Sequence, residues 1–117
     1  MSTEKKYRKV ELYKDYFEKF FAKQDKKTQE KIVWTLELIE DLDRIPVKFL
    51  KHVEEELYEI RVKQGTNIFR IFSFFDEGKL IVLANGFKKK TNKLPKSEIT
   101  KAKRIMIEYF ESKNDKG

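Results

Sequence analysis

Two arginines, Arg61 and Arg70, occupy consecutive strand-like segments, and two lysines, Lys88 and Lys89, close the segment that follows. Leu57–Lys63 alternates, with Tyr58, Ile60 and Val62 on one side and Glu59, Arg61 and Lys63 on the other. If Gly65-Thr66 is a two-residue loop, Gln64 pairs with Asn67, Arg61 lies directly opposite Arg70, and Glu59 lies across from Phe72. Glycine at the first loop position suits a type II′ turn. A three-residue loop would put the two arginines on opposite faces, because a one-residue slip turns one strand over. Like charges facing each other across strands repel, so the first register asks for an anion between them. With Lys88 and Lys89 arriving from the adjacent strand end, such a cluster would grip a phosphodiester. It would also offset the charge that builds as a nucleophile attacks phosphorus. The blander alternative has both arginines solvated or paired with Glu59 and Asp76, the lysines merely keeping a sheet edge soluble.

The lysines belong to a longer segment, Gly86–Lys96, which follows the apolar run Leu80–Ala84 and contains five of them. Residues 1–78 hold 16 Lys+Arg against 16 Asp+Glu, and residues 79–117 hold 11 against 4, so the whole net charge of +7 lies in the last third. A basic edge on an otherwise balanced domain points first at nucleic acid. Lys63, Lys90, Thr91, Lys93 and Lys96 are the candidate contacts around the cluster. Phe69, Phe72, Phe74 and Phe75 read mostly as core, and Phe72, which shares parity with Arg70, is the best candidate to stack a base on an open face.

Other chemistries find little support. His52 is the single histidine and sits beside Glu54-Glu55-Glu56, where it reads as a surface residue rather than a base or ligand. No cluster has metal-ligand spacing, and neither a phosphate-cradling glycine loop nor a nucleophile elbow is present. The acidic stretches Glu37–Asp43 and Glu54–Glu59 read as solvated faces. No metal or cofactor is expected.

The elements that must position these residues follow from periodicity. Val10 and Leu12 suggest a short first strand; Tyr16, Phe17, Phe20 and Phe21 fall at helical spacing. A second helix, capped by Asp25 or Thr28, carries Ile32, Val33, Leu36, Ile39 and Leu42 on one stripe. Pro46 closes it, and Ile45–Val53 reads as an apolar connector. Leu57–Lys63, Ile68–Phe75 and Leu80–Phe87 form a meander, and Pro95 opens a final helix bearing Ile99, Ala102, Ile105, Met106 and Tyr109. The expectation is one α+β domain over residues 1–117, with frayed ends near 1–6 and 112–117. A small antiparallel sheet of three or four strands carries two N-terminal helices and a C-terminal helix, packed against one face. The 16 aromatic residues (ten Phe, five Tyr, one Trp) supply a core that disordered chains lack. The chain has no cysteine, and neither a signal peptide nor a membrane span is apparent, which fits a cytoplasmic protein.

Leu57-Tyr58-Glu59-Ile60-Arg61-Val62, then Asn67-Ile68-Phe69-Arg70-Ile71-Phe72, then Gly86-Phe87-Lys88-Lys89-Lys90-Thr91-Asn92-Lys93-Leu94-Pro95, resemble the consecutive signatures of RelE/ParE-superfamily toxins. The HigB-like, phage-derived group of type II toxin–antitoxin systems is the nearest branch, over about residues 8–110. The resemblance implies a RelE-like fold and a metal-independent endoribonuclease that cleaves mRNA on the ribosome. The 2′-hydroxyl attacks the adjacent phosphate and leaves a 2′,3′-cyclic phosphate. It implies that Arg61 and Arg70 hold the scissile phosphate, and that Lys88 and Lys89 stabilise the transition state or protonate the leaving group. Glu59 stands where relatives carry a lysine or another polar residue and is a possible general base. Several relatives place a Tyr or His just after the last strand. Here that stretch has none, which leaves Glu59, Lys89 and, more remotely, Tyr109 for proton transfer. The resemblance also implies a cognate antitoxin, usually a helix-turn-helix DNA-binding protein. Two alternatives stand beside it: a ParE-like toxin that binds DNA gyrase, and a non-catalytic nucleic-acid-binding remnant.

Overall fold

The computed structural model describes residues 6–91 and 93–116; residues 1–5, Asn92 and Gly117 lie outside the described residues. The elements run β1 (Lys9–Leu12), α1 (Tyr16–Ala22), α2 (Lys26–Asp41), β2 (Leu50–Glu54), β3 (Leu57–Gln64), β4 (Asn67–Asp76), β5 (Leu80–Lys88) and α3 (Lys96–Lys116). The strands form one five-stranded sheet in the order β1-β5-β4-β3-β2, antiparallel except where β1 lies parallel to β5. The α+β class and the three helices match expectation, and the strand count is five rather than three or four. The added strand is β2, in the segment read as a connector. Its Lys51 and His52 are exposed and it lies at the sheet edge, so its apolar alternation is weak.

Asp25 caps α2, its side chain accepting the Thr28 N–H at 2.8 Å, a bond that also holds its carboxyl below the usual range. α2 and α1 lay Phe17, Phe20, Ile32 and Ile39 on Ile60, Val62, Phe69, Ile71, Ile81 and Leu83. α3 packs on the other face, where Ala102, Ile105 and Tyr109 meet Leu57, Phe72, Phe74, Val82 and Ala84. The expected one-sided packing is therefore corrected. β4 and β5 are apolar on both faces, and each face must be covered to keep that surface from water. α3 runs from Lys96 to Lys116; of the ends read as frayed, residues 1–5 and Gly117 lie outside the described residues.

One irregularity governs the site. β4 and β5 pair Ser73 with Leu83 and then Ile71 with Gly86, so Ala84 and Asn85 together oppose Phe72. This bulge shifts β5 by one residue relative to β4, and every later side chain of β5 changes face. Asn85, buried at 2 % exposure, donates Nδ2 to the Glu98 carboxylate at 2.7 Å and to the Glu98 carbonyl at 3.2 Å. The extra residue thus clamps the first turn of α3.

Candidate active site

The hairpin β3–β4 has the two-residue loop. Gln64 pairs with Asn67, Arg61 with Arg70 and Glu59 with Phe72, and Gly65 takes φ +62, the left-handed conformation that such a turn requires at its first position. Side chains of directly opposed residues share a face. Arg61, Arg70 and Glu59 consequently lie on the α3 side of the sheet, at the end that α3 leaves uncovered. A cleft of about 410 Å³ opens there, with Lys51, Glu59, Arg61, Arg70, Lys89 and Leu94 among its walls.

The two arginines differ. Arg70 is 6 % exposed, and its Nη1 donates to Glu59 Oε1 in an ion pair whose side chains keep 7 % and 3 % of their exposure. Arg61 is half-buried and makes no ion pair among the described residues. Among the described residues, the Nε atoms of both are buried without a hydrogen-bond partner. An unpartnered buried donor costs about 1–3 kcal/mol, and an anion in the cleft would remove that cost.

The lysines separate. Lys88 pairs with Phe69, which belongs to the α1–α2 core, so Lys88 points away from the arginines and is exposed. Lys89, whose N–H donates to Ile68 O at 2.7 Å, lines the cleft. Without the bulge Lys88 would have stood opposite Ile68, on the arginine face. Phe72 requires a correction: it is fully buried, 5.3 Å from Phe87 and beneath α3, so it offers no ring for a base. Lys63, Lys90, Thr91, Lys93 and Lys96 are exposed around the hairpin end and the loop before α3, with Thr91 Oγ1 donating to the Lys93 carbonyl at 3.1 Å.

Tyr109 lies far from the cleft. Its hydroxyl donates to Asp76 Oδ2 at 2.6 Å, at the opposite end of β4, roughly 20 Å from Arg70 at the usual rise per residue. Burial, with the Asp76 carboxylate as second cause, pushes its pKa up to about 12. His52 borders the cleft, but it pairs with Tyr58 and its ring packs edge-on against that residue, on the other face. Nε2 donates to Glu55 O at 2.6 Å. Asp76 pairs with Lys113, not with either arginine. Of the acidic run, Glu54 and Glu55 hold Lys103 of α3 and Glu59 holds Arg70.

Lys51 is the cleft residue that sequence reasoning missed. It pairs with Glu59 and so shares the arginine face; Leu50 and Val53 stand three residues apart and pack on opposite faces, so no period-two alternation marks the segment. Among the described residues no group of three or more His, Asp or Glu is placed to hold a metal ion, and no helix is long and apolar enough to cross a membrane.

The described residues thus form an α+β fold whose sheet is covered on both faces, with a cationic cleft at the open end of the meander. The chain belongs to the phage-derived Gp49-like protein family (DUF891), whose profile matches residues 19–107. That family lies in the RelE/HigB-like toxin superfamily and is associated with RelE-type toxins of toxin–antitoxin systems. No curated protein matches the chain.

Proposed function

We propose that this protein is the toxin of a type II toxin–antitoxin system of the HigB-like branch, and that it cleaves mRNA on the ribosome in the cytoplasm. The observation that carries the reading is the convergence of Arg61, Arg70 and Lys89 on one cleft, with both guanidinium Nε atoms left without partners among the described residues. Arg61 and Lys89, joined by Lys51, bind the scissile phosphate and stabilise the charge of the pentacoordinate transition state. Arg70 fixes Glu59 in place by donating to Oε1, which leaves Oε2 to accept the proton of the 2′-hydroxyl. The 2′-oxygen attacks phosphorus, the bond to the 5′-oxygen breaks, and the products carry a 2′,3′-cyclic phosphate and a 5′-hydroxyl. Lys89 is the ammonium placed to protonate that leaving oxygen. Lys88 takes no part in the chemistry and, with Lys63, Lys90, Thr91, Lys93 and Lys96, steers or contacts RNA electrostatically. The partner in the cell is an antitoxin, a helix-turn-helix DNA-binding protein.

Brief induction followed by mapping of transcript 5′ ends on ribosomes tests the reading. New 5′-hydroxyl ends with the native chain, and their loss in Arg61→Ala and Lys89→Ala, are expected. Intact transcripts together with DNA-damage signalling would instead identify a gyrase-binding toxin.

A further inference from the structure

β2 stops at the Leu50–Ile60 pair, where the Arg61 N–H donates to Phe49 O at 2.9 Å, while β3 runs on to Gln64. Among the described residues the edge of β3 beyond Arg61 has no neighbouring strand, and α2 stands beside it. The gap is a second cavity, of about 520 Å³, walled by Lys31 and Trp34 of α2, Lys48 and Phe49 of the connector, and Arg61 and Lys63 of β3. Trp34 is 46 % exposed, and its ring lies 6.1 Å from that of Phe49 at 69°. Lys31 Nζ stands 4.3 Å over the indole and Lys48 Nζ 5.2 Å from the Phe49 ring. Among the described residues no carboxylate lines the cavity. Arg61 lines this cavity and the phosphate cleft alike.

A half-exposed indole among cations adds little to a core, but it makes a platform. Bases of any sequence stack on aromatic faces, and lysines neutralise the phosphates beside them. An acidic peptide would satisfy the lysines without needing the paired rings. A nucleic-acid strand alternates anions with aromatic planes, which matches cations and rings placed side by side and joined through Arg61 to a second anion site.

We propose that the Trp34–Phe49 cavity is a nucleobase subsite, holding one unpaired base of the same RNA strand whose phosphate lies in the Arg61–Lys89 cleft. The assignment rests on reading that cleft as an RNA-phosphate site. Trp34 is the single tryptophan of the chain, so its fluorescence reports on this cavity alone. The full chain is titrated with a single-stranded heptanucleotide carrying 2′-O-methyl riboses, which cannot be cleaved, and with its abasic counterpart. Saturable quenching by the first and not by the second is expected. Trp34→Ala should weaken binding of the labelled oligonucleotide, followed by anisotropy, by roughly 5- to 150-fold. A Lys31→Glu/Lys48→Glu double variant, which keeps Trp34 as a reporter of folding, should weaken it and steepen the loss with salt less than in the native chain. Unchanged fluorescence at saturation, or equal quenching by the abasic strand, overturns the subsite. So does quenching by oligoglutamate and not by RNA, which would assign the cavity to an acidic peptide. Transcripts left uncut in cells while Trp34 still responds to RNA would remove the nuclease activity alone; cut transcripts with a silent Trp34 would remove the subsite alone.

Discussion

Arg70 and Glu59 form an ion pair that is almost wholly buried, whereas Arg61, directly across the strand pair from Arg70, has no carboxylate partner among the described residues. The facing arginines are therefore unequal in what they do for folding. Truncating Arg70 strands a buried carboxylate, and Arg70→Ala should lower the unfolding free energy by about 3–5 kcal/mol. Arg61→Ala should change it by less than about 1 kcal/mol, because it removes a cation that nothing neutralises. Urea denaturation of the two variants separates the cases. Equal destabilisation by both would contradict the distinction.

The lysines at the end of β5 should divide in the same manner. Lys89→Ala is expected to lower cleavage at least tenfold by removing a charge beside the reacting phosphate, about 1.4 kcal/mol or more of transition-state stabilisation. Lys88→Ala should change it by no more than a fewfold, through long-range attraction only. Growth arrest and transcript cleavage measured in parallel for the two variants provide the check, and a larger loss with Lys88→Ala would reverse the assignment.

Gly86 is placed against the ring of Phe20, such that an added Cβ would lie 2.5 Å from Phe20 Cδ2. Phe20 is itself buried in the α1–α2 core, so the ring has little room to withdraw. Gly86→Ala should cost about 1–3 kcal/mol through overpacking. Combining it with Phe20→Leu should recover part of the loss, and a double-mutant cycle by denaturation reads that coupling directly. Strict additivity would show that the close approach does not matter.

Asp76 carries a pH signature. Lys113 first, and the Tyr109 hydroxyl second, hold its carboxyl below the ordinary value of 3.8. A carboxylate whose folded pKa is depressed contributes stability above its unfolded value and loses that contribution as pH falls through the folded one. The native chain should thus lose stability as pH falls below about 4. Asp76→Asn should be destabilised by about 1.5–3 kcal/mol at neutral pH, the usual worth of a hydrogen bond to a charged group, and show a flatter acid limb. Parallel slopes in the two proteins below pH 4 would exclude Asp76 as the source.

Much of the site was legible because local chemistry dictates it. Gly65-Thr66 narrows the turn to a two- or a three-residue loop, and the two-residue one, which the structure has, sets the register that places Arg61 against Arg70 and both on the side of Glu59. Alternation marked β3, and the apolar runs marked β4 and β5. Periodicity located all three helices, and the cap of α2 was narrowed to Asp25 or Thr28, of which the structure has Asp25. These features depend on residues close in sequence, so they can be read without the fold.

Tertiary structure decided the rest. The bulge at Ala84 and Asn85 has no local signature, since its reason is the reach of Asn85 to Glu98 on a helix that begins later in the chain. That one residue of shift determines that Lys89, and not Lys88, meets the arginines. Phe72 has the right parity for a stacking platform, but α3 covers it, and parity cannot tell a covered face from an open one. Lys51 and the Trp34 cavity exist only because β2 pairs with β3 and stops at Leu50, leaving an edge beside α2. A sequence determines the face of a strand to which each side chain belongs wherever pairing is regular; where a strand is interrupted or a helix chooses a face, contacts between distant segments make the choice.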